Sequence, residues 1–180
     1  LDGTTNFATG IPVWAISVAR FVDGRPSEVF LDVPALGQRI MALRGRGVMR
    51  NEQALTTATR QHVNSACVSL CSRSIRVLQR KPNQPFPGKI RLFGVASLNL
   101  VSVAMGQTIA ALEATPKIWD LAAAWLVLDE LGCPIRWLDI DPAELSPGQD
   151  LSQTSFPMLA AGSWSELARF LPWGEALLQP

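Results

Sequence analysis

The 180-residue sequence has no tyrosine and a single histidine, His62. One imidazole excludes a site built from several histidine ligands, and nothing near His62 in the chain suggests a serine or cysteine nucleophile paired with it. It reads as a surface or loop residue. Cysteine is scarce as well: Cys67, Cys71 and Cys133 make neither an even disulfide framework nor the C-x-x-C spacing of a metal site. Reduced, buried thiols in a cytoplasmic protein are expected. No apolar run approaches the roughly 20 residues that span a bilayer, and Arg20, Arg44 and Arg46 interrupt the most hydrophobic N-terminal stretches. No membrane partner is expected. An initiating methionine and a basic leader are missing too, and the chain opens directly on Leu1, Asp2 and Gly3, as a fragment or a trimmed chain would.

Acid is absent from one long stretch. Between Glu52 and Glu113 there is no Asp or Glu, yet Arg60, Arg73, Arg76, Arg80, Lys81, Lys89 and Arg91 lie there, an asymmetry that the formal net charge of +1 conceals. Only Phe86 and Phe93 interleave with these cations, so a nucleic-acid partner is not expected. A solvated face, or a funnel for phosphorylated substrates, fits better.

What is present describes a packed domain. Hydrophobic residues make up 48% and charged residues 17% of the chain, and at this length about 70% of the unfolded surface can be buried. The six tryptophans fall mostly at apolar positions, which predicts core packing. Residues 13–21 are apolar and β-prone, Asp23-Gly24 is a hairpin-grade turn, 28–33 resumes the strand pattern, and 39–43 follows after Pro34 and Gly37. This is an antiparallel meander. Gly45, Gly47 and the polar run through Arg50, Asn51 and Glu52 read as a loop entering a last short strand.

After His62 the segments alternate. Strands are expected at 66–70, 89–93, 108–113, 135–138 and 158–161, and helices at 75–80, 97–105, 120–131 and 163–171, with loops at 82–88 and 142–153. Strands followed by such alternation predict an α/β layered sandwich. The division suggested is 1–61, the remainder of an N-terminal α+β sheet domain, and 62–180, a C-terminal α/β domain.

Two motifs carry chemistry. In Leu1-Asp2-Gly3-Thr4-Thr5-Asn6-Phe7, Asp2 offers a hard oxygen ligand, Gly3 lets the backbone bend, and Thr4 offers a hydroxyl and an N–H to an anion. An arbitrary Asp-Gly-Thr is more often an Asx-type turn closing a strand. In Ile118-Trp119-Asp120-Leu121-Ala122-Ala123-Ala124, Asp120 stands where an N-cap belongs, ahead of a helix apolar on most of its circumference. Capping is the plain reading. A carboxylate at a helix N-terminus is also well placed to stay ionised and bind a cation.

In this order the two motifs resemble the paired signatures of the inositol monophosphatase family. Gly45-x-Gly47 followed by Asn51, Gly94-x-Ala96 before a helix, Gly106 before a strand, Glu113, and Ala160-Ala161 also fall into line. The resemblance implies an αβαβα sandwich of the sugar-phosphatase type with its N-terminal elements missing, and a homodimer. It further implies Mg²⁺-dependent hydrolysis of a small phosphomonoester, inositol monophosphate first, by a metal-activated water. Leu1 (through its carbonyl), Asp2 and Asp120 would hold metal, and Asp2 and Thr4 would be catalytic. Gly3 and Thr4 would donate N–H groups to the phosphate, Gly94, Val95 and Ala96 would line the substrate pocket, and Glu113 would contact a substrate hydroxyl.

The chain also departs from the family pattern. It begins at the aliphatic position of the first motif, so the family's upstream acids are not in it, and this chain alone is expected to be a poor phosphatase. Ile109 stands where many relatives have Asp, and Val95 replaces a small hydroxyl residue. Other readings are a non-catalytic homologue or fragment serving as an oligomeric or regulatory module, and a phosphatase for another ester such as a sugar or nucleotide phosphate.

Overall fold

Along Arg25–Val33 the side chains of Val29, Leu31 and Val33 are buried while Glu28 is exposed and Phe30 and Asp32 are half-buried, the two-residue period of a strand with one face on a core. This segment, β2, pairs with β1 (Ile16–Val22) across Asp23 and Gly24, both at positive φ as a tight hairpin turn requires. A 3-10 turn at Pro34–Leu36 leads to β3 (Gln38–Leu43), then β4 (Gly47–Arg50) and β5 (Gln53–Leu55), all antiparallel in the order β1-β2-β3-β4-β5. The computed structural model describes residues 1–59, 66–142 and 148–179. Arg60, His62, the expected domain boundary and part of the 142–153 loop lie outside the described residues.

The second sheet is mixed, in the order β7-β6-β8-β10-β9, from β6 (Cys67–Leu70), β7 (Lys89–Arg91), β8 (Ala110–Glu113), β9 (Ile135–Trp137) and β10 (Met158–Ala161). Strands β6, β7 and β8 run parallel, and β10 is antiparallel to both of its neighbours. Between the sheets lie α3 (Ala96–Ala104) and α4 (Ile118–Glu130), buried on nearly every face because each touches a partner on two sides. Their side chains join Leu31, Ile40, Val48, Met158 and Ala160 in one core. Behind the second sheet, α2 (Arg76–Arg80) and α5 (Trp164–Glu175) cover Val68, Leu70, Leu112 and Leu159 with Val77, Phe170 and Trp173. The layers therefore run sheet, helices, sheet, helices, four of the five in the expected sandwich.

The outer face of the first sheet leaves Val18, Met41, Leu43 and Met49 exposed, and β1 forms an open edge. Among the described residues, no helix is long and apolar enough to cross a membrane. No disulfide joins Cys67, Cys71 and Cys133; Cys67 and Cys133 are buried and Cys71 half-buried.

Several expectations are corrected. Residues 4–9 form a short helix, α1 (Thr4–Thr9), where only a turn was read, since Gly3 at φ 80° can start it from the left-handed region. The supposed loop at 47–50 is β4, and the turn is Asn51-Glu52, both at positive φ, with Asn51 Nδ2 and Oδ1 pinned to Gly37 O and Arg39 N. Helix α5 continues past Leu171 through Pro172, because Trp173, Ala176 and Leu177 bury against the core and outweigh the lost N–H. Trp119 and Trp164 are 54% and 73% exposed, against the expected core packing.

Part of the basic stretch is structural. Arg76 Nη2 donates to Leu177 O at 3.0 Å, and Arg80 Nη1 donates to Ala176 O at 2.7 Å and Leu177 O at 3.0 Å, so two guanidinium groups satisfy carbonyls that the end of α5 leaves unpaired. Charge-assisted hydrogen bonds of this kind contribute about 1.5–3 kcal/mol. Arg80→Met is expected to lower the unfolding free energy by about 1–2 kcal/mol in urea titrations, and Lys89→Met, at an exposed strand position, by less than about 0.5 kcal/mol.

Candidate active site

The N-terminal motif is held against the start of α3 by one amide. Asn6 is buried, and its Nδ2 donates to Val13 O at 2.7 Å and to Phe93 O at 2.8 Å, tying α1 to the segment before Gly94. A side chain on Gly94, at φ 73°, would meet that amide at 3.1 Å. Gly3 sits deeper: a Cβ there would fall 2.7 Å from Val95 Cγ2, so only glycine allows the two segments to approach this closely. Asp2 exchanges backbone hydrogen bonds with Ala15, at 2.8 and 3.0 Å, and its Oδ2 accepts the Ser97 N–H at 2.8 Å in the first turn of α3.

Asp120 is placed by α4. It is the third helical residue and not the cap: Lys117 holds the cap position, and Asp120 Oδ2 reaches back to accept the Lys117 N–H at 2.9 Å. Burial pushes the Asp120 carboxyl above its ordinary range, the Lys117 N–H pulls it down, and the negative charge of Asp2 pushes it up again. The two carboxylates thus act on one another although far apart in the chain. Each spends Oδ2 on a backbone N–H, and among the described residues neither Oδ1 accepts a hydrogen bond.

Glu113, at the end of β8, lies beneath this pair. It is 2% exposed, and its carboxyl is pushed from the ordinary 4.5 up to about 8, first by burial; hydrogen bonds from Asn99 and Cys71 oppose the rise, and the charges of Asp2 and Asp120 add to it. Asn99 Nδ2 donates to Glu113 Oε1 at 2.6 Å, and Cys71 Sγ also accepts the Ala114 N–H at 3.4 Å. In this arrangement the Glu113 carboxyl is covered. Val95, 1% exposed, presents backbone only, whereas Thr4 and Gly94 are exposed and Ala96 half-buried.

Sequence reading gave no role to Asn6, Ser97, Asn99 or Lys117. An Asn inside the apolar run of α3 was the visible signal for Asn99; the roles of Asn6 and Ser97 depend on contacts more than 80 residues away in the chain.

A family model described as the inositol monophosphatase family matches residues 1–167. The chain belongs to this family. It is 33% identical over 139 residues to the Nus factor SuhB of Xylella fastidiosa, covering 73% of this chain and 50% of that protein. It is also 33% identical over 150 residues to the histidinol-phosphatase of Mycobacterium tuberculosis, covering 77% and 57%. The crystal structure of the extragenic suppressor protein SuhB from Bartonella henselae superposes with a TM-score of 0.75 at 26% identity, over 99% of this chain and 70% of that one. The chain spans about half the length of the curated relatives it matches.

Among the described residues, no group of three or more His, Cys, Asp or Glu side chains is arranged to hold a metal ion. The donors expected from the sequence are two carboxylates, Asp2 and Asp120, and the Leu1 carbonyl. That suits Mg²⁺, which keeps several waters and is commonly held by one or two carboxylates together with substrate phosphate.

Glu113 generates a signed prediction. With its folded value raised, the folded protein keeps a proton that the unfolded chain has released between about 4.5 and about 8, so stability falls as pH rises through that window. Glu113→Gln retains an acceptor for Asn99 and should flatten the fall. Urea unfolding across the window measures both slopes, and equal slopes would show that Glu113 carries no such proton.

Proposed function

We propose that the natural polypeptide containing this chain hydrolyses a small phosphomonoester with Mg²⁺, inositol monophosphate being the first candidate. The observation that carries the reading is the pair Asp2 and Asp120: each is anchored by a helix-start N–H through Oδ2, with Oδ1 left over, in a chain of a family named for phosphatase activity.

Asp2 Oδ1, Asp120 Oδ1 and the Leu1 carbonyl would hold the cation. When bound, Mg²⁺ neutralises charge at the phosphate, lowers the pKa of a water and stabilises the departing alkoxide. The N–H groups of Gly3 and Thr4, at the start of α1 where no helical carbonyl is available, donate to phosphate oxygens. The exposed Thr4 hydroxyl orients the attacking water, and the backbone of Gly94, Val95 and Ala96 bounds the leaving group. Glu113 acts from below as a buried group whose charge state answers to the pair above it. The Ser97 and Lys117 amides keep the carboxylates aimed, so little reorganisation is left for the reaction.

The family is named for inositol monophosphate and one relative for histidinol phosphate, and the leaving-group side here is bounded by Val95 in place of a hydroxyl residue. A panel of inositol 1-phosphate, histidinol phosphate and a nucleoside monophosphate therefore accompanies the test. A second reading, a non-catalytic regulatory module, is motivated by the relatives named as Nus factors. In the whole natural polypeptide, Asp120→Asn is expected to reduce Mg²⁺-dependent phosphate release at least about 10²-fold, the scale of losing one preorganised electrostatic group. Full turnover by Asp120→Asn would remove Asp120 from the site; no turnover by wild type on any ester would favour the regulatory reading.

A further inference from the structure

Resting on the reading of Asp120 as a metal-holding carboxylate, we propose that Lys117 sets the charge selectivity of the site: it disfavours a divalent cation bound alone and favours the same cation accompanied by a phosphate dianion.

Three observations carry this. Lys117 is the residue before α4, and its own N–H is bonded to Asp120 Oδ2 at 2.9 Å, so the root of its side chain is fixed to the carboxylate in question. Its ammonium is fixed too: Nζ donates to Gln153 O at 2.8 Å. That partner is neutral, and among the described residues no ion pair compensates Lys117. Its positive charge therefore stands next to Asp120 without an ion-pair partner among the described residues, on the same side as the positive end of α4.

The consequence follows from the sign of each ligand. A doubly charged cation entering beside Asp120 is repelled by the ammonium. A phosphate dianion arriving with it is attracted by the same ammonium. The Leu1 ammonium also acts on Asp120, but it is a backbone terminus; the remaining positive groups at the site are backbone amides, which bind phosphate but oppose a lone cation only weakly. Lys117 is thus a side chain able to shift the two affinities in opposite directions, and an ordinary structural residue would shift them together. For partly exposed charges at this range the Coulomb interaction corresponds to about 3- to 10-fold in affinity, and it weakens as salt shortens the Debye length.

The test titrates Mg²⁺ alone, and then inorganic phosphate at saturating Mg²⁺, into the whole natural polypeptide by isothermal calorimetry. The proteins are wild type, Lys117→Met, Lys117→Arg and Asp120→Asn, with folding checked by circular dichroism. Lys117→Met, which keeps the aliphatic stem, is expected to bind Mg²⁺ about 3- to 10-fold more tightly and phosphate about 3- to 10-fold more weakly. Lys117→Arg should stay within about twofold of wild type in both, and the difference between wild type and Lys117→Met should shrink at about 0.5 M salt.

The inference is overturned if Lys117→Met moves both affinities in one direction, as loss of the Gln153 tether would, or if Lys117→Arg behaves like Lys117→Met. It is also overturned if Lys117→Met matches wild type while Asp120→Asn loses Mg²⁺ binding; the site reading then survives alone. If Asp120→Asn itself binds Mg²⁺ as wild type does, the site reading fails and the inference falls with it.

Discussion

The arrangement depends on the seating of the N-terminal motif against the start of α3. Two contacts accomplish it: the Asn6 amide bridging Val13 O and Phe93 O, and the Ser97 N–H on Asp2 Oδ2. Both join parts of the chain that no local preference would bring together. Once they are made, α3 and α4, packed side by side between the sheets, carry their N-terminal ends to the same region, and Asp120 comes into the field of Asp2. The two carboxylates are neighbours because two helices are, and the helices are neighbours because each is apolar nearly all round and must be enclosed.

That enclosure has an electrostatic side. Of the three acids gathered here, Asp120 and Glu113 stand where burial disfavours their ionised forms, and the structure treats them unequally. Asp2 and Asp120 each accept a backbone N–H at a helix start, from Ser97 in the first turn of α3 and from Lys117 at the cap of α4. Glu113 is given one side-chain amide and a thiol beneath an apolar cover, and holds its proton most firmly. Environment thus gives Asp120 and Glu113 different proton affinities.

Much of this was legible in the sequence and some was not, for identifiable reasons. The strand and helix order could be read because alternation in β2 and the near-continuous apolar run of α4 are local properties of the chain. Helix ends were read less well. Asp120 looked like a cap because Asp favours that position, but an acid three residues in can equally reach back to the cap's N–H, and only the coordinates separate the two. Pro172 suggested an end that buried Trp173 overrides. Asp2 and Asp120 could be singled out as candidates through their motifs; the covering of Glu113 could not, since it depends on Asn99 rotating onto it from another element. The basic stretch was legible as charge but not as use, and Arg76 and Arg80 proved to be closing a helix end 96 to 101 residues away.

The contact of Val95 with Gly3 works as a spacer. Because Val95 Cγ2 lies 2.7 Å from where a Cβ at position 3 would stand, the bulk of residue 95 helps set how far the segment carrying Asp2 stands off the first turn of α3. Trimming it would let that segment settle inward, and enlarging it would lift the segment away. The gap between two carboxylates that would grip a cation is thus governed in part by a hydrocarbon branch. Relatives could retune that gap by exchanging one apolar residue for another while both acids stay unchanged.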